Sequence, residues 1–249
     1  KGNWVLDADI RSFFDTLEHG WLVKFIEHRV ADRRVVRRIQ KWLNAGVLEE
    51  GERTWREVGT VQGGSISPLL ANLYLHYVFD LGVRRWRQTQ ATGDGIVVRF
   101  ADDFVVGFQY RHEAERFLAE LRERFAKFGL LLHPDKTRLF EFGPFADRNR
   151  RGRGQGKPDT FNFLGFTHIC GKKRRGMFTV LRQTVRQRLQ AKLQAVKAEL
   201  RRRMHVPIPE QGAYVRSVVA GHVRYFGVPM NGPAISLFRR EVGRVWRQV

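Results

Sequence analysis

The amino-acid sequence predicts an α+β fold, in which an antiparallel sheet packed on helices is followed by an α-helical region. Residues 4–10 alternate apolar and polar side chains, and two apolar, β-branched runs within residues 96–108 flank Asp102 and Asp103. Alternation with a period of two is typical of a half-buried strand, and two short apolar runs around a tight turn predict a hairpin. Apolar residues at steps of four and three after residue 183 predict the long helix that opens the helical region.

The strand predicted at residues 4–10 carries two carboxylates on one face. Its alternation puts Asp7 and Asp9 on the same side. The opposite face is apolar and consists of Trp4, Leu6, Ala8 and Ile10. Because carboxylates on such a strand are costly unless water, a cation or a partner compensates them, the pattern fits either an edge strand with solvated acids or a metal ligand. The acids at 102–103 have the same two interpretations, a solvated turn or a pair of ligands.

The charge of the chain favours a polyanionic partner. There are 45 Lys and Arg residues against 25 Asp and Glu, which gives a net charge of +20. Nucleic acid is the first expectation and an anionic membrane surface is the second. Between residues 148 and 203 there are 17 Lys and Arg residues, and the acids there are Asp159 and Glu199. A run of one sign is often a solvated face, but a phosphate backbone would also satisfy it.

Composition also excludes some classes of protein. No apolar run approaches the ~18 residues that a membrane-spanning helix needs. The single cysteine, Cys170, excludes an internal disulfide and fits a reducing cytosol. The chain starts at Lys1 and enters a strand almost at once, so we expect it to be part of a longer protein.

The separate acids suggest a common chemistry if their strands share one sheet. Asp9, Asp102 and Asp103 would then converge, and carboxylates that close repel unless a divalent cation lies among them. Mg²⁺ is the hard cation that such oxygens select, and two ions ~3.5–4 Å apart can stabilise the attacking and leaving oxygens of a displacement. Together with the basic region, this suggests phosphoryl transfer on a polynucleotide. These residues alone do not separate a polymerase from a nuclease.

Five segments, in this order, resemble the successive palm motifs of reverse transcriptases, especially those encoded by bacterial group II introns. The segments are residues 5–15, 62–72, 100–103, 129–137 and 163–166. Each motif alone is weak, but five in order at sensible spacings are strong. The basic helix and residues 217–246 resemble the thumb and maturase region of that family.

The resemblance implies a role for each matching residue near the chemistry. Asp9, Asp102 and Asp103 would be the catalytic, metal-binding acids, and the backbone of Ile10 would also contact the metal. The implied cofactor is two Mg²⁺ ions, with Mn²⁺ as a substitute.

Two departures from the family pattern are mild, since Phe100 replaces a common Tyr and Val61 replaces a common Pro. The family's fingers, which hold the triphosphate and template, have no counterpart in the chain.

The resemblance also implies residues that bind the substrate. Phe14 would lie under the incoming sugar and exclude a 2′-hydroxyl, although a core aromatic explains the same residue. Gln62, Gly63 and Gly64 would pack beside the nascent base pair. Lys136 would approach the pyrophosphate and act as general acid, although a surface lysine explains it equally.

The nucleic acid would be held by the later part of the chain. Phe163, Leu164, Gly165 and Phe166 would form the primer grip. The basic helix would track the A-form duplex of template and primer, because that geometry is gripped through its shallow groove and phosphates. The residues expected to contact nucleic acid are Arg186, Lys192, Lys197, Arg201, Arg202 and Arg203.

These expectations define four segments and one function. The segments are a palm at 1–143, a Gly- and Arg-rich loop at 144–158, a primer-grip hairpin completing the palm at 159–182, and a helical thumb and maturase region at 183–249. The implied function is RNA-directed DNA synthesis in the bacterial cytoplasm, away from membranes. Its partners would be an RNA template, a DNA primer, dNTPs and an intron RNA whose splicing the protein assists.

Two other functions remain as alternatives. One is a non-catalytic RNA-binding maturase, which the retained acids disfavour. The other is a domesticated reverse transcriptase from a retron, a diversity-generating element or a CRISPR-linked system, which the thumb and maturase resemblance disfavours.

Overall fold

The structure, a computed structural model, describes residues 2–44, 47–49, 52–54, 59 and 66–249. The chain divides into two compact units, Lys1–Gly143 and Pro144–Val249. None of the helices in the described part is long and apolar enough to cross a membrane.

The first unit mixes strands and helices. Its strands are β1 (Trp4–Ala8), β2 (Val47–Glu49), β3 (Glu52–Thr54), β4 (Gly95–Phe100), β5 (Asp103–Phe108) and β6 (Arg138–Glu141). Its helices are α1 (Phe13–Thr16), α2 (His19–Glu27), α3 (Arg33–Asn44), α4 (Ser67–Leu75), α5 (Leu81–Thr89) and α6 (Arg111–Lys127). A π-helical turn, His76–Asp80, joins α4 directly to α5.

One antiparallel sheet organises this unit, with its strands in the order β4, β5, β1, β6. β2 and β3 pair antiparallel and form a separate hairpin. The predicted alternation of the first strand is confirmed, because Leu6, Ala8 and Ile10 lie in the hydrophobic core. The helices cover that face of the sheet, and the side chains of Asp7 and Asp9 are therefore left on the other face.

Aromatic side chains from the helices fill the core beneath the sheet. Phe79 of the π-helical turn packs against Phe104 of β5, with ring centroids 4.5 Å apart. Phe125 of α6 is fully buried and lies 6.2 Å from each of these rings. Pairs of this kind contribute about 0.5–1.5 kcal/mol beyond the burial of their area. The sheet end that carries the predicted acids thus rests on a well-packed layer.

The second unit begins with a short helix and a sheet and continues with helices. Its elements are α7 (Ala146–Gly152), β7 (Phe161–Phe163), β8 (Phe166–Lys172), β9 (Phe178–Thr184), α8 (Arg186–Arg202), α9 (Ile208–Phe226) and α10 (Gly232–Arg247). β7, β8 and β9 pair antiparallel in that order. The predicted apolar seam of α8 is buried with residues of α10; this core contains Leu189, Val196, Leu200, Phe238 and Val242.

The predicted loop at 144–158 needs correction, because α7 occupies residues 146–152. Arginine is a good helix former, and Asp147 pairs with Arg151 one turn later at 3.1 Å. Arg150 of the same helix also donates to the Asp159 carboxylate at 2.5 Å. These interactions order a stretch whose composition alone resembles a linker.

The predicted hairpin at 159–182 is present as β7 to β9 and extends to Thr184. These strands form their own sheet and belong to the second unit. The functional division into palm, loop, primer-grip hairpin and thumb stays a prediction.

Candidate active site

The pairing of β1 with β5 brings acids from distant parts of the chain to one end of the main sheet. In this antiparallel register Ala8 is opposite Phe104. Continuing the register by one residue sets Asp9 opposite Asp103, and directly opposed residues in antiparallel strands have Cα atoms about 4.5–5.5 Å apart. We call Asp9, Asp102 and Asp103 the acidic end of the sheet.

The turn of the β4–β5 hairpin presents Asp102. Phe100 pairs with Asp103 across the hairpin, so Ala101 and Asp102 form a two-residue turn where the sequence predicts one. Ala101 has a φ of 54°, in the left-handed region. A residue with a Cβ pays about 1–2 kcal/mol for that conformation. Surrounding contacts must therefore hold this turn in place.

The carboxylates at the acidic end repel one another. Partial burial raises the pKa of Asp103 above its ordinary value. The negative charges of Asp9, Asp102 and Asp7 raise the same pKa further. This end of the sheet therefore favours any cation that can approach its carboxylates.

Lys136 is a cation that contacts this end of the sheet in the structure. Its Nζ donates to Oδ2 of Asp9 at 2.6 Å. The hydrogen bond and charge of Asp9, with smaller contributions from Asp103 and Asp102, raise the pKa of Lys136 and keep it protonated at neutral pH. The structure thus brings together the predicted acids and the predicted general acid, although the roles themselves stay predictions.

A second ion pair lies next to the acidic end and was not foreseen from the sequence. Arg138 of β6 is directly opposite Asp7 of β1, and its Nη2 donates to Oδ2 of Asp7 at 3.2 Å. Burial raises the pKa of Asp7, and Arg138 acts against that shift. The alternation of β1 indicated that Asp7 shares a face with Asp9, but no local pattern linked Asp7 to Arg138.

The donor set at the acidic end fits a hard divalent cation. Carboxylate oxygens are the ligands that Mg²⁺ prefers. The repulsion among these acids, which adds to the effect of burial on the pKa of Asp103, would be relieved by such an ion. Within the described residues, no group of three or more His, Cys, Asp or Glu side chains is already arranged to hold a metal. A cation bound through Asp9 would compete with the hydrogen bond from Lys136.

The other residues predicted near the substrate have separate positions. Ile10 is buried and forms an isolated antiparallel bridge with Leu132, which fixes the backbone just after Asp9. Phe14 in α1 is half-buried and packs against the core, so its ring is held firmly. The predicted site residues Gln62, Gly63 and Gly64 lie outside the described residues.

The predicted primer grip is a tight hairpin in the second unit. Leu164 and Gly165 connect β7 to β8 with φ values of 49° and 79°. Two positive φ angles are typical of the turn that matches strand twist in two-residue hairpins. Phe163 and Phe166 pair across it and are buried, and the Tyr225 hydroxyl of α9 donates to the Leu164 carbonyl at 3.1 Å. The turn is thus fixed against α9.

Some of the basic residues of α8 are exposed, and others are paired with an acid of the same helix. The predicted contacts Arg186, Lys192 and Arg201 are exposed, and Lys197 is half-buried. Arg202 and Arg203 both pair with Glu199, at 2.9 and 2.5 Å. Glu199 lies within one helical turn of both, so pairing inside the helix satisfies these two residues and a phosphate backbone is not needed to explain them.

Comparison with known proteins identifies the family. Residues 1–168 match the family described as "Reverse transcriptase (RNA-dependent DNA polymerase)". The group II intron-encoded protein LtrA of Lactococcus lactis is 41% identical over 73 residues, which cover 29% of this chain and 12% of that protein. Protein YkfC of Escherichia coli is 32% identical over 131 residues, which cover 43% of this chain and 34% of that protein. The chain thus spans about a third or less of these relatives.

Solved structures agree on the fold. Telomerase from Candida albicans, in complex with a fragment of telomeric RNA, matches 99% of this chain and 45% of its own with a TM-score of 0.52 at 13% identity. Telomerase from Candida tropicalis, truncated from its C-terminal domain, matches 72% of this chain and 35% of its own with a TM-score of 0.52 at 16% identity. The predicted α+β fold of antiparallel sheet and helices is confirmed. With two thirds of its length inside the family match, the chain belongs to the reverse transcriptase family, and group II intron-encoded proteins are among its relatives.

Proposed function

We propose that this chain is the palm and thumb of an RNA-directed DNA polymerase of the group II intron type, which adds nucleotides to a primer 3′-hydroxyl on an RNA template. The observation that carries the proposal is the convergence of Asp9 with Asp102 and Asp103 inside the region that matches the family. The alternative, a non-catalytic RNA-binding maturase, has no need for a strained set of acids.

In the proposed reaction, the primer 3′-hydroxyl gives up its proton to water as its oxygen bonds to the α-phosphorus of the dNTP, and the bond from that phosphorus to pyrophosphate breaks. Charge increases on the leaving pyrophosphate, and a protonated lysine can neutralise it and donate a proton. The ion pair with Asp9 holds the charged ammonium of Lys136 at the acidic end, which suits it to neutralise this charge and places a proton there.

The acidic end would hold two Mg²⁺ ions, or Mn²⁺ in their place, through the carboxylates of Asp9, Asp102 and Asp103 and the backbone of Ile10. When bound, the ions supply stabilisation of the attacking and leaving oxygens. The raised pKa of Asp103 supports this assignment. It shows that the positive charge of Lys136 does not offset burial and the negative charges of the neighbouring acids.

The remaining predicted roles belong to the same proposal. Phe14 would contact the sugar of the dNTP, and the 62–64 segment would contact the new base pair. The hairpin at Phe163–Phe166 would grip the primer, and the exposed cations of α8 would bind phosphates of the A-form duplex. The relative LtrA is a group II intron-encoded protein. From this likeness we propose that the chain also binds intron RNA, assists its splicing and acts in a bacterial cytoplasm.

The test is extension of a DNA primer on an RNA template with Mg²⁺ and dNTPs. We expect extension that requires the template and the metal, and that stops in Asp102→Asn. Glu115→Gln is the matched control, because it removes an exposed carboxylate of α6. Binding of the primer–template without any extension by the unaltered chain would contradict the proposal and favour a non-catalytic maturase.

A further inference from the structure

An arginine lies behind the hairpin that carries Asp102 and Asp103. Arg99 is on β4, where the alternate residues Ile96, Val98 and Phe100 are exposed. Its side chain therefore points to the opposite face, toward the helices, and only 15% of it is exposed. A charged group in such a place needs partners for its donors.

The guanidinium of Arg99 connects three parts of the first unit. Its Nε and Nη2 donate to the two carboxylate oxygens of Asp80, at 2.8 and 2.7 Å. Its Nη1 donates to Oδ1 of Asn72 and to the carbonyl of Ala101, both at 3.0 Å. A bidentate pair of this kind fixes direction as well as distance. Its far end is anchored on the residue immediately before Asp102.

The π-helical turn sets Asp80 in the place where it can meet Arg99. Asn72 and Asp80 are eight residues apart, and in a regular α-helix such residues are rotated by about 80° from each other. A π-helical turn takes more residues per turn and reduces that offset, so both side chains reach the same guanidinium. Turns of this kind are frequent at functional sites.

A second arginine donates hydrogen bonds to backbone carbonyls of the π-helical turn. Arg124 of α6 donates from Nε to the Val78 carbonyl at 2.5 Å and from Nη2 to the Tyr77 carbonyl at 2.9 Å. Gly82 makes room for it, because a Cβ at that position would collide with Nε of Arg124. The support for Asp80 thus continues into the core helix α6.

We infer that Asp80 and Arg99 are positioning residues, which hold the Ala101–Asp102 turn in its left-handed conformation and thereby aim the acids that follow it. Ala101 has no side-chain oxygen with which to stabilise its φ of 54°, so the turn depends on contacts made to it by others. The Arg99 bond to its carbonyl is such a contact. The catalytic part of this inference rests on the proposed function, whereas the structural part does not.

The test compares this ion pair with an equivalent one that faces solvent. Asp80→Asn and Arg99→Lys weaken the pair without removing bulk. Glu115→Gln and Arg111→Lys are matched controls, since Arg111 and Glu115 form a 2.8 Å ion pair on the exposed face of α6. Amide hydrogen exchange of residues 100–104 is measured without substrates, and single-turnover extension and primer–template Kd are measured on the same proteins.

We expect faster exchange at residues 100–104 in Asp80→Asn and Arg99→Lys but not in the controls. Extension should slow by about 10–100-fold, because small misplacement of reacting groups costs that much, while Kd changes less than about twofold. Unchanged exchange at the hairpin would overturn the inference, and so would a rate that stays within twofold of the unaltered chain. If the unaltered chain does not extend primers, the proposed function fails, and the exchange data alone decide whether the pair holds the turn.

Discussion

Two acidic sites in the first unit have opposite electrostatics. At the acidic end, partial burial and neighbouring carboxylates raise the pKa of Asp103. At Glu113, near the start of α6, burial alone would also raise the pKa, but hydrogen bonds from Thr92 and Gly93 outweigh it and lower the pKa below its ordinary value. The surroundings of Glu113 stabilise its charged form, whereas the surroundings of Asp103 destabilise its charged form.

The geometry explains the contrast. Oε1 of Glu113 accepts from the Thr92 amide and hydroxyl, each at 2.6 Å, and from the Gly93 amide at 3.1 Å. This carboxylate is 2% exposed and closes the turn that leads into β4. At the acidic end, Asp9 accepts a hydrogen bond from Lys136, whose side chain is mostly exposed to solvent.

The difference separates a structural carboxylate from a functional one. An acid surrounded by donors contributes to stability, whereas acids held against one another cost stability and are kept for what they bind. Removing charge should therefore have opposite consequences at the two sites.

The largest expected effect is on activity. Asp102→Asn with Asp103→Asn should reduce primer extension at least ~10³-fold, because stabilisation of the reacting oxygens is lost, while primer–template affinity stays within about twofold. Glu113→Gln should leave the extension rate of the folded protein near that of the unaltered chain. Single-turnover extension and a filter-binding Kd measure both. Equal losses of rate at the two sites would remove the distinction.

Loss of the cation at the acidic end should have an intermediate effect. Lys136→Gln removes the positive charge next to Asp9, and the loss of a general acid typically costs about 10²–10⁴-fold in rate. Arg122→Gln is a suitable control, since it neutralises a cation on the outer face of α6. A Lys136→Gln rate equal to that of the control would show that the lysine is only a counter-ion.

Glu113→Gln should destabilise the protein by about 1–3 kcal/mol at neutral pH, because hydrogen bonds to a charged acceptor are replaced by weaker ones. Since the folded pKa is lowered, this contribution is complete above the ordinary value of 4.5 and is lost as the pH falls through the folded pKa. Urea unfolding of both proteins at pH 7 and at a descending series of pH values below 4.5 measures it. A difference that persists unchanged in acid would contradict the assignment.

The smallest expected effect has the opposite sign. The folded pKa of Asp103 is raised, so its charged form weakens the fold once the pH exceeds the ordinary value of 3.8. Asp103→Asn should therefore raise Tm at pH 7, on the order of 1 °C in metal-free buffer. The gain should vanish below pH 3.8. A lower Tm for Asp103→Asn at pH 7 would mean that the charged form of Asp103 does not destabilise the folded protein.

The sequence predicted the acidic end because its signals are local. Alternation in residues 4–10 fixed the face of Asp9, and the apolar runs around Asp102 and Asp103 fixed the hairpin. The family motifs then supplied the expectation that these strands share a sheet, and the β1–β5 register agrees with it.

The supporting ion pairs could not be predicted in this way. Lys136 and Asp9 are 127 residues apart, and the Asp80 that pairs with Arg99 lies at the end of a π-helical turn. Neither the turn nor the chain separation leaves a periodic signal. The helix at 146–152 was missed because its Gly- and Arg-rich surroundings hid a local signal, the pairing of Asp147 with Arg151 one turn later. Its pairing with Asp159 lies beyond the helix and leaves no periodic pattern.

Binding of Mn²⁺, followed by the electron paramagnetic resonance of the free ion, tests most directly whether the distant acids act as one site. The chain, Asp9→Asn, Asp102→Asn, the double variant and Glu115→Gln would be titrated. We expect each single variant to bind about tenfold more weakly or worse, the double variant to lose little more than either, and Glu115→Gln to bind like the unaltered chain. Single variants that bind as well as the unaltered chain, or losses that multiply independently in the double variant, would contradict the convergence of these acids on a common cation.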